Sequence, residues 1–162
     1  MSQRTLFFAG LFGCVALIGI ALYMQHVVGL EPCPLCILQR VAVIGMGAVL
    51  LVAAIHNPAG WGVRVYAGLT ALVALFGLAT AGRNVWLQHL PADRVPDCGP
   101  GLNYMLEVFP LSRTLEMVFK GSGECAEVQW TFLSLSIPEW MLFVFGVYFL
   151  AGVYLTLARA KG

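Results

Sequence analysis

Of the chain's 162 residues, 60% are hydrophobic and only 10% are charged, with a formal net charge of +1 at pH 7 and a mean hydropathy of +0.86. A soluble domain is excluded by that balance, and a membrane protein is expected. No basic run of the kind that binds nucleic acid is present, and there is no glycine-rich phosphate loop, HExxH pair or nucleophile elbow.

The first predicted element is the uncharged stretch from Thr5 to Met24, which follows Arg4. As a helix it is long enough to cross a hydrocarbon core of about 30 Å. Tyr23-Met24-Gln25-His26 lacks the small-residue cleavage pattern of a signal peptide, so a retained span is expected. Cys14 falls midway along it, where a thiol behaves as a small buried hydrophobe.

A short connection, residues 25–35, carries Glu31, Pro32 and Pro34 and leads into Cys33-Pro34-Leu35-Cys36. Proline is favoured at the first helical position, which puts Cys33 at the N-cap and Cys36 near the end of the first turn. Residues one turn apart are within disulfide reach. Sulfur at a helix start meets unpaired N–H groups and the positive end of the helix, which favours thiolate over thiol. The pair therefore reads as a reactive dithiol.

The second span runs from about Cys36 to Ile55, with Gln39 and Arg40 its only polar residues near the start. Arg40 is four residues beyond Cys36 and on the same helix face, about one turn into the membrane. It can snorkel to the headgroups. It can equally favour a Cys36 thiolate and hydrogen-bond a carbonyl of a membrane-dissolved acceptor, the default expectation for an intramembrane charge. His56-Asn57-Pro58-Ala59-Gly60 is a tight turn. A third span covers about residues 65–88, and a fourth runs from Trp140 to Ala158.

Four spans place both termini on one side. Arg4, Arg64, Arg159 and Lys161 then share that side without any acid, while all eight Asp and Glu fall on the other. A cytoplasmic N-terminus is expected, with the dithiol and the long loop, residues 89–139, on the oxidising face. In that loop Cys98 lies in Pro96-Asp97-Cys98-Gly99-Pro100-Gly101 and Cys125 follows Gly121-Ser122-Gly123-Glu124, both flexible by composition. Between them Leu111, Leu115, Val118 and Phe119 recur at helical spacing against Arg113, Glu116 and Lys120, a pattern for a short helix in the membrane interface.

Five cysteines leave one over if two pairs form, and Cys14 is the odd one. Cys98 and Cys125 could form a structural staple, which for a loop of that length contributes roughly 3.5 kcal/mol in the entropic model. That reading gives a non-catalytic four-span protein with two structural disulfides. Their glycine-rich surroundings and a second dithiol on the same side favour exchange instead. A zinc site built from the four thiols is the further alternative. On an oxidising face thiols tend to pair, so no metal is expected.

Together, Cys33-x-x-Cys36 with Arg40, the second cysteine pair, the four spans, and the Gln25-His26 and Pro138-Glu139-Trp140 flanks resemble the disulfide bond formation protein B (DsbB) family. The likeness extends over essentially the whole chain. It implies a single integral domain over residues 1–162: an all-α, four-transmembrane-helix bundle of the bacterial inner membrane, with a short interfacial helix in its second periplasmic loop. The implied activity is that of a disulfide oxidoreductase passing electrons from a periplasmic DsbA-like thiol oxidase to a membrane quinone, ubiquinone or menaquinone.

Residue by residue, the resemblance implies that the partner attacks Cys98 and that the released Cys125 attacks Cys33. Cys36 is then expelled as the thiolate facing the quinone, in a charge-transfer complex stabilised by Arg40. His89 is a further possible quinone neighbour on the same basis, and Gln39 stands where some family members have Glu. The residues alone leave open which of Cys33 and Cys36 is the better leaving group, because the N-cap favours a thiolate at Cys33 as well.

Overall fold

The computed structural model describes residues 3–97, 104 and 107–158. Among these, α1 (Gln3–His26), α2 (Pro34–His56), α3 (Trp61–Gln88) and α5 (Ile137–Ala158) are long and apolar enough to cross a membrane. A shorter helix, α4 (Leu111–Lys120), precedes a 3₁₀ turn at Gly123–Cys125 and the antiparallel pair β1 (Thr131–Phe132) and β2 (Leu135–Ser136). The fold is a four-helix membrane bundle. Its spanning helices extend beyond the stretches expected from hydropathy, by a few residues at most ends, because helix continues into polar flanks that apolarity does not mark. Cys98, Arg159 and Lys161 lie outside the described residues.

α2 packs against both α1 and α3, and α3 packs most extensively against α5. With no aqueous drive to bury apolar surface between lipid-bathed helices, close packing of small residues sets their approach. A Cβ at Gly152 would lie 2.8 Å from the Ala67 carbonyl oxygen and 2.9 Å from Ala71 Cβ, so α5 touches the backbone of α3 there. Further along, the fully buried Phe145 ring occupies the space that a side chain at Gly77 would need. Phe7, Cys14, Met46, Leu50 and Ala74 complete the core. Cys14 is buried as expected and donates to Tyr148 Oη at 3.6 Å.

The turn between α2 and α3 forms where expected. Asn57 adopts φ 45° and its N–H caps the Ala53 carbonyl, while Gly60 adopts φ 57°. α4 turns Thr114 and Val118 toward the protein and leaves Leu111, Leu115 and Phe119 uncovered, as an interfacial helix requires. Its exposed Glu116–Lys120 pair, 3.0 Å apart, holds the Glu116 carboxyl below its ordinary range.

Gly77→Val tests the α3–α5 contact. The added side chain overlaps the Phe145 ring, and overpacking of this kind costs about 1–3 kcal/mol. Thermal denaturation in detergent should show a lowered midpoint, largely restored by adding Phe145→Ala. An unchanged midpoint in the single variant would refute the close packing.

Candidate redox site

The site is assembled at one end of the bundle from three pieces of chain. The first is the start of α2. Pro34 opens the helix and Cys33 is its N-cap, with φ −65° and ψ 160°, and the Cys33 sulfur accepts the Cys36 N–H at 3.3 Å. The two sulfurs are 2.7 Å apart. Among the described residues, Cys14, Cys33, Cys36 and Cys125 are free thiols.

The second piece is the turn that carries Cys125. Gly121, at φ +78°, lies so close to α3 that a Cβ there would overlap Leu87 Cδ1 and come 3.3 Å from Leu35 Cδ1. The chain then folds through Ser122 into the 3₁₀ turn, where the Cys125 N–H bonds the Ser122 carbonyl at 2.9 Å. Arg83 reinforces the seat. It donates to the Lys120 carbonyl at 3.1 Å and stacks over the Trp86 ring at 4.3 Å. Cys125 ends up buried in one cluster with Cys33, Leu35 and Leu87. The Gly123 N–H bonds the Asp97 carbonyl at 3.3 Å, which ties the residue before Cys98 to the same turn.

The third piece is the last part of α3. Asn84 is 1% exposed, and its Nδ2 faces both sulfurs, 3.4 Å from Cys36 and 3.6 Å from Cys33. Its Oδ1 is buried without a partner among the described residues. Gln39 on α2 is 3% exposed and its Nε2 is likewise unpartnered. Cys33, Cys36, Cys125, Asn84, Gln39 and Arg40 all line one largely apolar cavity of about 110 Å³, walled on its far side by α1 and the start of α5.

The six site residues inferred from the sequence are thus placed unequally. Cys33, Cys36 and Cys125 form one cluster. Arg40 lines the cavity, but its guanidinium is drawn to α1, donating to Gln25 Oε1 and to the Ala21 carbonyl at 3.2 Å. His89 is not brought to the cavity. It ends α3 with an exposed ring whose Nδ1 bonds the Val85 carbonyl at 2.9 Å, and the preceding Gln88 lines the wall instead. Cys98 falls outside the described residues.

Sequence reasoning missed Asn84 and Gln88. The usable signal was an uncharged polar residue inside an apolar span, which tends to face the bundle interior. Among the described residues, no group of three or more His, Cys, Asp or Glu side chains is arranged to hold a metal ion.

Four membrane-crossing helices with buried, mutually contacting thiols at one end define a polytopic membrane protein built around a cysteine site. Residues 3–155 match the family model described as disulfide bond formation protein DsbB. Curated relatives carrying the name disulfide bond formation protein B include one from Nitrosococcus oceani, 61% identical over 90% of this chain and 86% of its own. Others are from Stutzerimonas stutzeri, 56% identical over 89% of this chain and 88% of its own, and from Marinobacter nauticus, 50% identical over 98% and 95%. The chain belongs to the DsbB family.

The hydrogen bond with Cys33, then burial, pushes the Cys125 thiol well above its ordinary range. A raised thiol is protonated at neutral pH and ionises only as pH rises. In the reduced protein, alkylation of Cys125 by iodoacetamide should therefore be slow near pH 7 and still rising at pH 9, by peptide mass mapping. Gly121→Ala should unseat the turn and speed the reaction. A plateau by pH 8 in the parent would overturn this reading.

Proposed function

We propose that the protein is a dithiol:quinone oxidoreductase of the bacterial inner membrane that reoxidises a periplasmic DsbA-like thiol oxidase. The observation that carries the reading is the contact of Cys125 with Cys33 inside the cluster, which lies against an apolar cavity. Arg4 and Arg64, the latter in the first turn of α3, support a cytoplasmic N-terminus, with the cluster on the periplasmic face.

The relay starts at Cys98, where the partner's thiolate attacks a Cys98–Cys125 disulfide and releases Cys125 as a thiolate. The Gly123 N–H to Asp97 carbonyl hydrogen bond joins the turn that carries Cys125 to the chain segment ending at Asp97. Exchange delivers Cys125 already ionised, so its raised pKa does not delay it, and nucleophilicity increases with pKa. With Cys33 and Cys36 joined as a disulfide in the oxidised protein, Cys125 attacks Cys33, so that the Cys33–Cys125 bond forms, the Cys33–Cys36 bond breaks and the electron pair is left on Cys36. Arg40, on the same cavity wall, favours the anion there.

The cavity suits a quinone. Its wall is mostly apolar, and the buried, unpartnered Gln39 Nε2 is a donor that fits a carbonyl oxygen. Gln39 and Arg40 are the residues that would hold such a ring beside Cys36. A bound quinone supplies the two-electron acceptor.

With purified protein, reduced partner and quinone followed by absorbance, Cys36→Ser should lower quinone reduction to background. Cys98→Ser should block entry from the protein partner alone. The assignment fails if both variants still oxidise the partner at the parent rate.

A further inference from the structure

The Cys33 sulfur is served by its own helix, as N-cap acceptor of the Cys36 N–H. Cys36 lies inside the first turn, with its sulfur 2.7 Å from that of Cys33. The Cys36 sulfur meets a donor from another helix in Asn84, whose Nδ2 is 3.4 Å away, against 3.6 Å to Cys33. Asn84 is buried, and no carboxylate or water-facing group competes for that amide nitrogen among the described contacts. A hydrogen bond to a charged acceptor is roughly twice as strong as one to a neutral group, and stronger still away from water.

We propose that Asn84 is the positioning residue that makes Cys36, rather than Cys33, the sulfur that leaves as a thiolate. The inference rests on the relay proposed above. When Cys125 attacks Cys33, the Cys33–Cys125 bond forms, the Cys33–Cys36 bond breaks, and the electron pair passes to Cys36. Asn84 Nδ2 is already aimed at the atom where that charge arrives, so no side chain need reorient. The same amide leaves Oδ1 free to accept a proton-bearing group within the cavity. The titratable and charged groups around it are Cys33, Cys125, Arg40, Glu31, Glu124 and Glu127. Among the described hydrogen bonds of Arg40, both run to α1 rather than to sulfur.

The test uses the full-length protein in detergent, fully reduced and without quinone, with alkylation of each cysteine followed against pH by peptide mapping. In the parent, the pH at which Cys36 alkylation reaches half its maximum should lie below that for Cys33. Asn84→Leu and Asn84→Ala, both compatible with a membrane helix, should move the Cys36 midpoint upward by about one to two pH units. Below the midpoint that slows the reaction about 10- to 100-fold. The Cys33 midpoint should move less.

An unmoved Cys36 midpoint in a variant with the parent melting temperature overturns the proposal, as does an equal shift at Cys33. If neither variant folds, the order of the two midpoints in the parent decides, and Cys33 below Cys36 overturns it. Because no quinone is present, failure here is distinct from failure of the parent protein to reduce quinone, which would sink the relay itself.

Discussion

Cys125 reaches Cys33 from far along the chain, and an apolar seat brings the two sulfurs together. Leu35 on the first turn of α2 and Leu87 near the end of α3 are both fully buried, and Gly121 lies directly on them. Any side chain at Gly121 would lift the turn off the leucines and carry Ser122–Cys125 with it. The positive φ of Gly121 then redirects the chain out of α4 into the turn. Tethering by Arg83 at the Lys120 carbonyl keeps the same junction closed from the side. The sulfur cluster therefore depends on close contact between backbone and side chains at a helix end, and only secondarily on the cysteines' own bonding.

That dependence explains how unevenly the molecule could be read in advance. The spanning helices were legible because the bilayer makes hydropathy and length nearly sufficient. The start of α2 was legible for a local reason: proline at the first helical position and a capping residue before it act within one turn. The amphipathic α4 also announced itself through spacing alone. What spacing could not reveal was which partner each polar side chain finds across the bundle. Arg40 shares a face with Cys36, yet its guanidinium turns to the Gln25 amide and the Ala21 carbonyl, because α1 offers acceptors close by. His89 ends its helix with an exposed ring outside the cavity lining, its ring nitrogen held by the Val85 carbonyl. Asn84 needed knowledge of the α2–α3 packing before its relation to the sulfurs could be seen.

The buried amides bear on the proposed use of the cavity. Leaving a donor or an acceptor unpaired in an apolar setting costs about 1–3 kcal/mol, and Gln39 Nε2 and Asn84 Oδ1 are both in that position. A bundle assembled only for stability would fill these positions with leucine or alanine, as α3 does at Ala67, Ala71, Ala74, Ala81 and Leu87. Their presence beside three thiols is easier to understand if a group entering from the bilayer completes their hydrogen bonding.

The same reasoning bears on the direction of electron flow in the proposed relay. The N-terminal field of α2 reaches both sulfurs, and the N-cap hydrogen bond of the helix goes to Cys33. A preference for charge on Cys36 has to come from outside α2, and the structure offers it on two sides. Cys125 engages Cys33 from the loop, while Asn84 approaches slightly nearer to Cys36 from α3. A nucleophile on one sulfur and a hydrogen-bond donor on the other polarise the pair along a single axis, from the loop toward the cavity. The two act in sequence: attack of Cys125 on Cys33 fixes Cys36 as the sulfur that receives the electron pair, and the Asn84 donor stabilises the charge that arrives there.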